Sequence, residues 1–390
     1  MGAATSKSRH SKTESSNDVA NTPGLPQELL DEIIDHLADD PTSLRRCSIA
    51  ASNFLPTCRR HLFKRIVFRP HNLPAWKVTF PNPSTCPAAY THEMRIHLAP
   101  SAPIQLAEYM PYFSNVRDLT LIGGRCEVRD WIPSLGRLPT SIRSLTMKFA
   151  SITNAQVLEI MEQLPNLDDI SLSAFREAGL TAEAGEILRG RYSGKLDLLL
   201  MEDFHAGIVR SLLKAPEGLG FRSIKALCNT EDDFPVYVDL VASCQDTLVD
   251  LDISVSADAI VIPNKITPTF NFLHHKSLEH LSFSLLSNFA SCRWLSTALS
   301  TIDPTNSPRL RAVTIYLHRH VPPARIVSET ALSESVMKDL RDVGSEIKRI
   351  RAASGGSVKF EIAVPLPWVM KPLQTAWTDV LNECSFSVEY

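Results

Sequence analysis

The sequence predicts an α/β chain in which a short three-helix unit precedes an irregular array of strand–helix repeats. Three observations carry this. Leu29, Leu30, Ile33, Ile34 and Leu37 recur at helical spacing near the N-terminus, the pattern of one broad apolar stripe. From Val116 onward the template L-x-x-L-x-L returns again and again, and self-similarity at such a period marks stacked units. Between the copies lie helix-like segments such as 155–164 (AQVLEIMEQL) and 236–244, so strands alternate with helices.

Composition narrows the class. The 390 residues are 44% hydrophobic and 21% charged, which supports a large core, and Lys+Arg 40 against Asp+Glu 43 leaves a net charge of −3. No basic surplus points to nucleic acid. The eight cysteines form no C-x-x-C pair, which speaks against a zinc site or a disulfide framework and for thiols in a reducing compartment. No apolar run approaches the length that spans a bilayer. Residues 1–24 almost lack large apolar side chains and cannot offset their ordering entropy, so they read as a disordered tail. Its first six residues, MGAATS, fit an N-myristoylation pattern with Gly2 as acceptor. Lys7, Arg9 and Lys12 follow, and with them the tail offers weak peripheral membrane contact.

The helical unit covers 25–63. Pro26 stands at the start of the first helix, and Glu28, Asp31 and Glu32 suit the positive end of its dipole. Asp39-Asp40-Pro41 breaks the pattern and restarts it: Asp40 caps and Pro41 opens a second helix carrying Leu44, Cys47, Ile49 and Ala50. A third helix follows over 54–63. The stripe is wider than so small a unit can bury, so it calls for a partner. Leu25-Pro26, Glu28-Leu29-Leu30, Ile33-Ile34-Asp35-His36-Leu37, the acidic break at Asp39-Asp40, Leu44, Cys47 and Phe54-Leu55 together resemble the F-box, with Phe54 where many members carry Trp. The resemblance implies docking on the Skp-type adaptor of a cullin–RING ubiquitin ligase. The docking face would be Leu25, Pro26, Leu29, Leu30, Ile33, Ile34, Leu37, Leu44 and Phe54.

The body, 64–390, carries the template at Val116/Leu119/Leu121, Ile142/Leu145/Met147, Leu167/Ile170/Leu172, Leu196/Leu199/Met201, Phe221/Ile224/Ala226, Leu248/Leu251/Ile253, Leu278/Leu281/Phe283 and Leu310/Val313/Ile315. Two weaker copies precede them, at Phe63/Ile66/Phe68 and Thr91/Met94/Ile96. The first positions stand 26, 25, 29, 25, 27, 30 and 32 residues apart. This resembles an irregular leucine-rich-repeat solenoid, with the Asn or Cys expected after each strand mostly absent. One repeat cannot hold itself together, whereas a stack buries a continuous core. From about residue 328 a cap is expected: a helix over 328–353 ending before Gly355-Gly356, a strand over 358–364, a helix near 373–381 and a strand over 386–390. Pro-rich stretches at 71–87 and 318–323 are expected to be long loops on the rim.

Period-two alternation sends the second and fourth residues after each template start to the outer, concave face of the sheet. These include Asp118, Thr120, Ser144, Thr146, Asp169, Ser171, Asp250, Asp252, His280, Ser282, Ala312 and Thr314. Asp118, Thr120, Asp169, Ser171, Asp250, Asp252, His280 and Ser282 are the candidate substrate contacts, and their aspartates favour a ligand with a basic face.

A search for catalytic chemistry finds none. Gly218-Leu219-Gly220 lacks the third glycine and the lysine of a phosphate loop, and no G-x-S-x-G or H-E-x-x-H occurs. His318 and His320 share a strand face without a carboxylate or thiol partner, and His274 and His275 point apart if extended. The basic run Arg59, Arg60, Lys64, Arg65 and Arg69 reads by default as a solvated face, with the acidic first helix or an anionic partner as the other readings. The expectation is therefore a non-enzymatic substrate receptor, without cofactor or metal, of the cytoplasm or nucleus. Its partners are a Skp-type adaptor, through it a cullin, and a protein substrate of unknown identity. The combination is similar to the F-box-like proteins of mushroom-forming fungi. The other expectation is a leucine-rich-repeat scaffold outside any ligase, tethered to a membrane through Gly2.

Overall fold

The computed structural model describes residues 25–98, 106–123, 130–138, 140–149, 152–174, 192–198, 205–216, 218–228, 234–256, 269–286, 292–318, 334–363 and 385–387. Gly2 and the rest of the tail, Met201, His320 and the expected helix near 373–381 lie outside these residues. The chain divides into two compact units, Met1–Leu62 and Phe63–Tyr390.

In the first unit, α1 (Gln27–Asp35), α2 (Pro41–Ala50) and α3 (Leu55–Leu62) follow one another, with a 3-10 turn at Ser52–Phe54. Pro26 precedes α1, and its carbonyl accepts the N–H groups of Leu29 and Leu30. The Asp40 carboxylate accepts the N–H groups of Thr42 (3.0 Å) and Ser43 (3.2 Å), and Pro41 fills the first helical position, where no donor is missed. The core is small. Ile34, Leu44 and Cys58 are fully buried, with Leu37, Cys47, Phe54 and Leu62 packed partly against them.

The second unit is α/β. Among the described residues one parallel sheet of twelve strands runs in strict chain order: β1 (Arg65–Phe68), β2 (Glu93–Leu98), β3 (Asp118–Gly123), β4 (Ser144–Phe149), β5 (Asp169–Ala174), β6 (Lys195–Leu198), β7 (Ser223–Cys228), β8 (Asp250–Ser256), β9 (His280–Leu286), β10 (Ala312–His318), β11 (Lys359–Ala363) and β12 (Ser385–Ser387). Helices return the chain between strands, among them α4 (Leu73–Thr79), α5 (Ile132–Leu135), α6 (Asn154–Glu162), α7 (His205–Leu213), α8 (Phe234–Ser243), α9 (Cys292–Ser300) and α10 (Glu334–Ala353). Leu119, Leu145, Ile170, Leu196, Ile224, Leu251, Leu281 and Val313 stand in one register across neighbouring strands. They belong to the continuous buried cluster that also takes Val157, Leu158, Leu240, Val241, Leu295 and Leu299 from the helices.

The pairing corrects one template copy. Ile170 pairs with Leu196 and Leu172 with Leu198, so Leu196 is the second template position and the copy starts at Ser193. Leu196, Leu198, Leu199 and Leu200 fit the template in two frames, and only the neighbouring strand selects one. A second correction concerns 71–87, expected as a long loop. It holds α4 and a 3-10 turn at Pro83–Thr85, and another 3-10 turn follows at Pro87–Tyr90. Trp76 on α4 explains the order: its ring meets those of Phe68, Phe80 and Phe113 with centroids 5.2, 4.7 and 6.4 Å away, a large apolar area for a short helix. At the expected cap, α10 ends before Gly355 (φ 61°) and Gly356 (φ 81°), and the N–H of Gly356 reaches the Arg351 carbonyl at 2.9 Å. Only glycine adopts these angles without cost.

A polar ladder ties repeat to repeat. The residue just before the first template position donates its side-chain hydrogen to a carbonyl of the preceding repeat: Asn115 to Ala89, Ser141 to Val116, Asn166 to Thr140, Thr247 to Phe221 and Ser277 to Asp246. These rungs stand before the strand, whereas the Asn or Cys position after it is mostly unfilled.

Candidate interaction surfaces

On α1, Gln27, Asp31 and Asp35 recur at i, i+4 and i+8 and so share one side of the helix. That side is stitched with polar contacts, mostly to α3. Thr57 donates to Asp31, Arg60 Nη2 donates to Asp35 at 2.7 Å, and His61 Nε2 lies 2.6 Å from the same carboxylate. Gln27 Nε2 donates to Asp31 (2.8 Å) and to the Asn53 carbonyl (3.1 Å). The Thr57 and Gln27 hydrogen bonds hold the Asp31 carboxyl below its ordinary value, and His61 and Arg60 do the same to Asp35. Of the basic run, Arg60 therefore answers the acidic first helix.

With α3 on that side, the stripe splits. Ile34 and Leu44, expected at the docking face, are 1% exposed each and form the unit's own core. A helix 100° per residue that seats Ile34 inward and its acids toward α3 turns Leu29 and Ile33 outward. These two are 45% and 51% exposed, Leu25 is 56% exposed and Pro26 is exposed as well. Leu30, Leu37 and Phe54 are half-buried. Ile49 on α2, which the sequence does not single out for docking, is 85% exposed.

The second surface is the sheet face opposite the buried cluster. The register sets Asp118, Ser144, Asp169, Lys195, Ser223, Asp250, His280 and Ala312 in one row. Thr120, Thr146, Ser171, Asp197, Lys225, Asp252, Ser282 and Thr314 form the next. The eight candidate substrate contacts fall in these two rows. Their acids are largely engaged already. His280 Nδ1 lies 2.6 Å from Asp250, and Lys225 Nζ lies 3.1 Å from Asp252. The Asp169 carboxylate accepts the Lys195 N–H at 2.7 Å and so helps to seat β6. A Cβ on Gly194 would lie 2.3 Å from that carboxylate oxygen and 2.7 Å from the Asp168 carbonyl, so glycine is required there. Neither Asp118 nor Asp169 has a cation bridging it among the described residues, and burial together with Glu93 and Asp169 raises the pKa of Asp118. Lys195 and Asp197 were hidden by the frame slip at β6. Lys225 and Arg95 were legible by counting four residues on from Phe221 and Thr91.

Of the histidine pairs, His275 is buried with Nε2 3.1 Å from the Val241 carbonyl, while His274 is exposed. Among the described residues no group of three or more His, Cys, Asp or Glu is placed to hold a metal ion, and no helix is long and apolar enough to cross a membrane. No protein-family model matches the chain, and no curated protein matches it either.

Proposed function

We propose that this protein is the substrate-receptor subunit of a Skp–cullin–F-box type ubiquitin ligase. The observation that carries the reading is the exposed apolar strip Leu25, Leu29 and Ile33, presented by a unit whose own core is three buried side chains. Apolar surface left open on so small a helical unit favours a permanent partner. The F-box-like order of Leu25-Pro26, the Leu29–Leu37 run and the capped restart at Asp40-Pro41 names that partner as a Skp-type adaptor. The chain-ordered parallel sheet with its recurring template supports reading the second unit as an irregular leucine-rich-repeat array. Its outer face would hold the protein substrate. The receptor then supplies no acid, base or nucleophile. It raises the effective concentration of substrate lysines near a ubiquitin-carrying enzyme, in the cytoplasm or nucleus.

The test is co-purification of the full chain with a Skp-type adaptor. We expect capture by the wild type and its loss in Leu29→Glu/Ile33→Glu with the helical signal unchanged. A wild type that fails to bind, or a double variant that binds equally well, removes the ligase reading.

A further inference from the structure

Charges on the outer sheet face are matched over much of its length. Arg65 meets Glu93, Lys195 meets Asp197, Lys225 meets Asp252 and His280 meets Asp250. One corner departs from this. Val67 pairs with Arg95 and Phe68 with Ile96, so alternation sets Arg69, just past β1, beside His97 of β2. The row continues through Ile122 to Lys148 on β4. Arg69, Arg95 and Lys148 are exposed, His97 is half-buried, and His71 follows in the chain, exposed. None of these five side chains has a hydrogen bond or ion pair among the described residues.

These charges converge. The His97 imidazole is held below its ordinary value by burial first, then by Arg69, Arg95 and His71, and no carboxylate among the described residues offsets them. The acids of this region, Glu93 and Asp118, stand nearer the strand starts, and Glu93 already holds Arg65. Like charges on adjacent strands work against the sheet, so an unmatched cluster here is a cost that a ligand of opposite sign relieves. Hydroxyls line its border at Thr120 and Thr146.

We propose that this basic corner of β1–β4 binds an acidic segment of a partner protein, several carboxylates of one extended stretch lying across the strands. The assignment rests on the outer face being the substrate surface. The layout decides between a carboxylate-bearing chain and one compact anion. From Arg69 to Lys148 the cations span three inter-strand steps of about 4.8 Å, roughly 14 Å in all. That is too far for one phosphate group to bridge and a natural span for a few residues of extended chain. Guanidinium groups at one end supply bidentate geometry for carboxylates.

Fluorescence anisotropy with a labelled poly-glutamate peptide tests this on the full chain. We expect binding that weakens with salt, and a loss of at least about tenfold in Arg69→Glu/Arg95→Glu. A poly-lysine peptide should not bind, and inorganic phosphate at equal charge should not displace poly-glutamate. Both arginines are exposed, so the variant should unfold at the wild-type midpoint. Lys359→Glu, the charge reversal of one site at the far end of the sheet, should leave binding unchanged. Equal affinity of wild type and double variant, an equal loss in Lys359→Glu, or displacement by phosphate overturns the proposal. Adaptor capture by the same preparations separates the two readings. Capture without peptide binding removes only the acidic-ligand assignment, while peptide binding without capture upholds it and removes the ligase reading.

Discussion

Asn166 donates its side-chain amide to the carbonyl of Thr140 at 2.8 Å, joining two successive repeats where strand pairing has not yet begun. Removing it leaves that carbonyl without the donor. We expect Asn166→Ala to lower stability by about 0.5–1.5 kcal/mol, read as a lower urea midpoint. The Asn166→Ser variant should recover part of the loss if reach permits, since Ser141 and Ser277 hold the equivalent rungs.

Arg349 performs a similar task between helices. Its Nη2 donates to the carbonyls of Leu299 (3.0 Å), Ser300 (3.3 Å) and Ile302 (2.9 Å), where α9 ends. Terminal carbonyls have no partner within their own helix, and a guanidinium there also suits the dipole. Arg349→Met should cost about 1.5–3 kcal/mol and speed hydrogen exchange through 292–302. Arg349→Lys should restore less than half, because one ammonium cannot reproduce the planar fork. Unchanged exchange in the Met variant would refute the capping role.

The first unit separates two kinds of apolar residue. Ile34→Ala should cost about 2–5 kcal/mol, as a fully buried aliphatic does, and unfold 25–62 in a unit with so few core residues. Leu29→Ala and Ile33→Ala should shift the melting curve by far less, since both side chains already meet water. Circular dichroism melts of the three variants check the ordering.

Acid should weaken the repeat body through His275. Burial is the chief cause that pulls its pKa below the ordinary 6.5, opposed in part by its Val241 contact and by Asp246, with His274 adding to the shift. Unfolded chains then take up a proton before folded ones do. The contribution is fully present above about pH 6.5 and is lost as pH falls toward the depressed folded value, at no more than about 1.4 kcal/mol per pH unit. His275→Gln keeps a donor for the Val241 carbonyl and cannot titrate. Its urea midpoint should fall less than the wild type's between about pH 7 and about pH 5.5.

Most strands were legible because their spacing repeats and each buried apolar triplet is flanked by polar residues. β6 was not, for a local reason: Leu196 and Leu198 to Leu200 offer two equally apolar frames, and the choice belongs to Ile170 and Leu172 on the next strand. The polar ladder was also in plain view, as Asn, Ser or Thr directly before Val116, Ile142, Leu167, Leu248 and Leu278, but nothing in the spacing marks those side chains as reaching back to the preceding strand–helix unit. The docking face was half legible. Helical spacing groups Ile33 with Ile34, and only the ties of Asp31 and Asp35 to α3 decide which of the two turns inward.

Because each strand of the sheet bonds only to those immediately before and after it in the chain, a nascent polypeptide leaving the ribosome can add one rung at a time without waiting for distant sequence. Gain or loss of a whole rung would lengthen or shorten the platform while every other pairing stays as it was. A lineage can thereby retune the extent of the sheet without redesigning the interior.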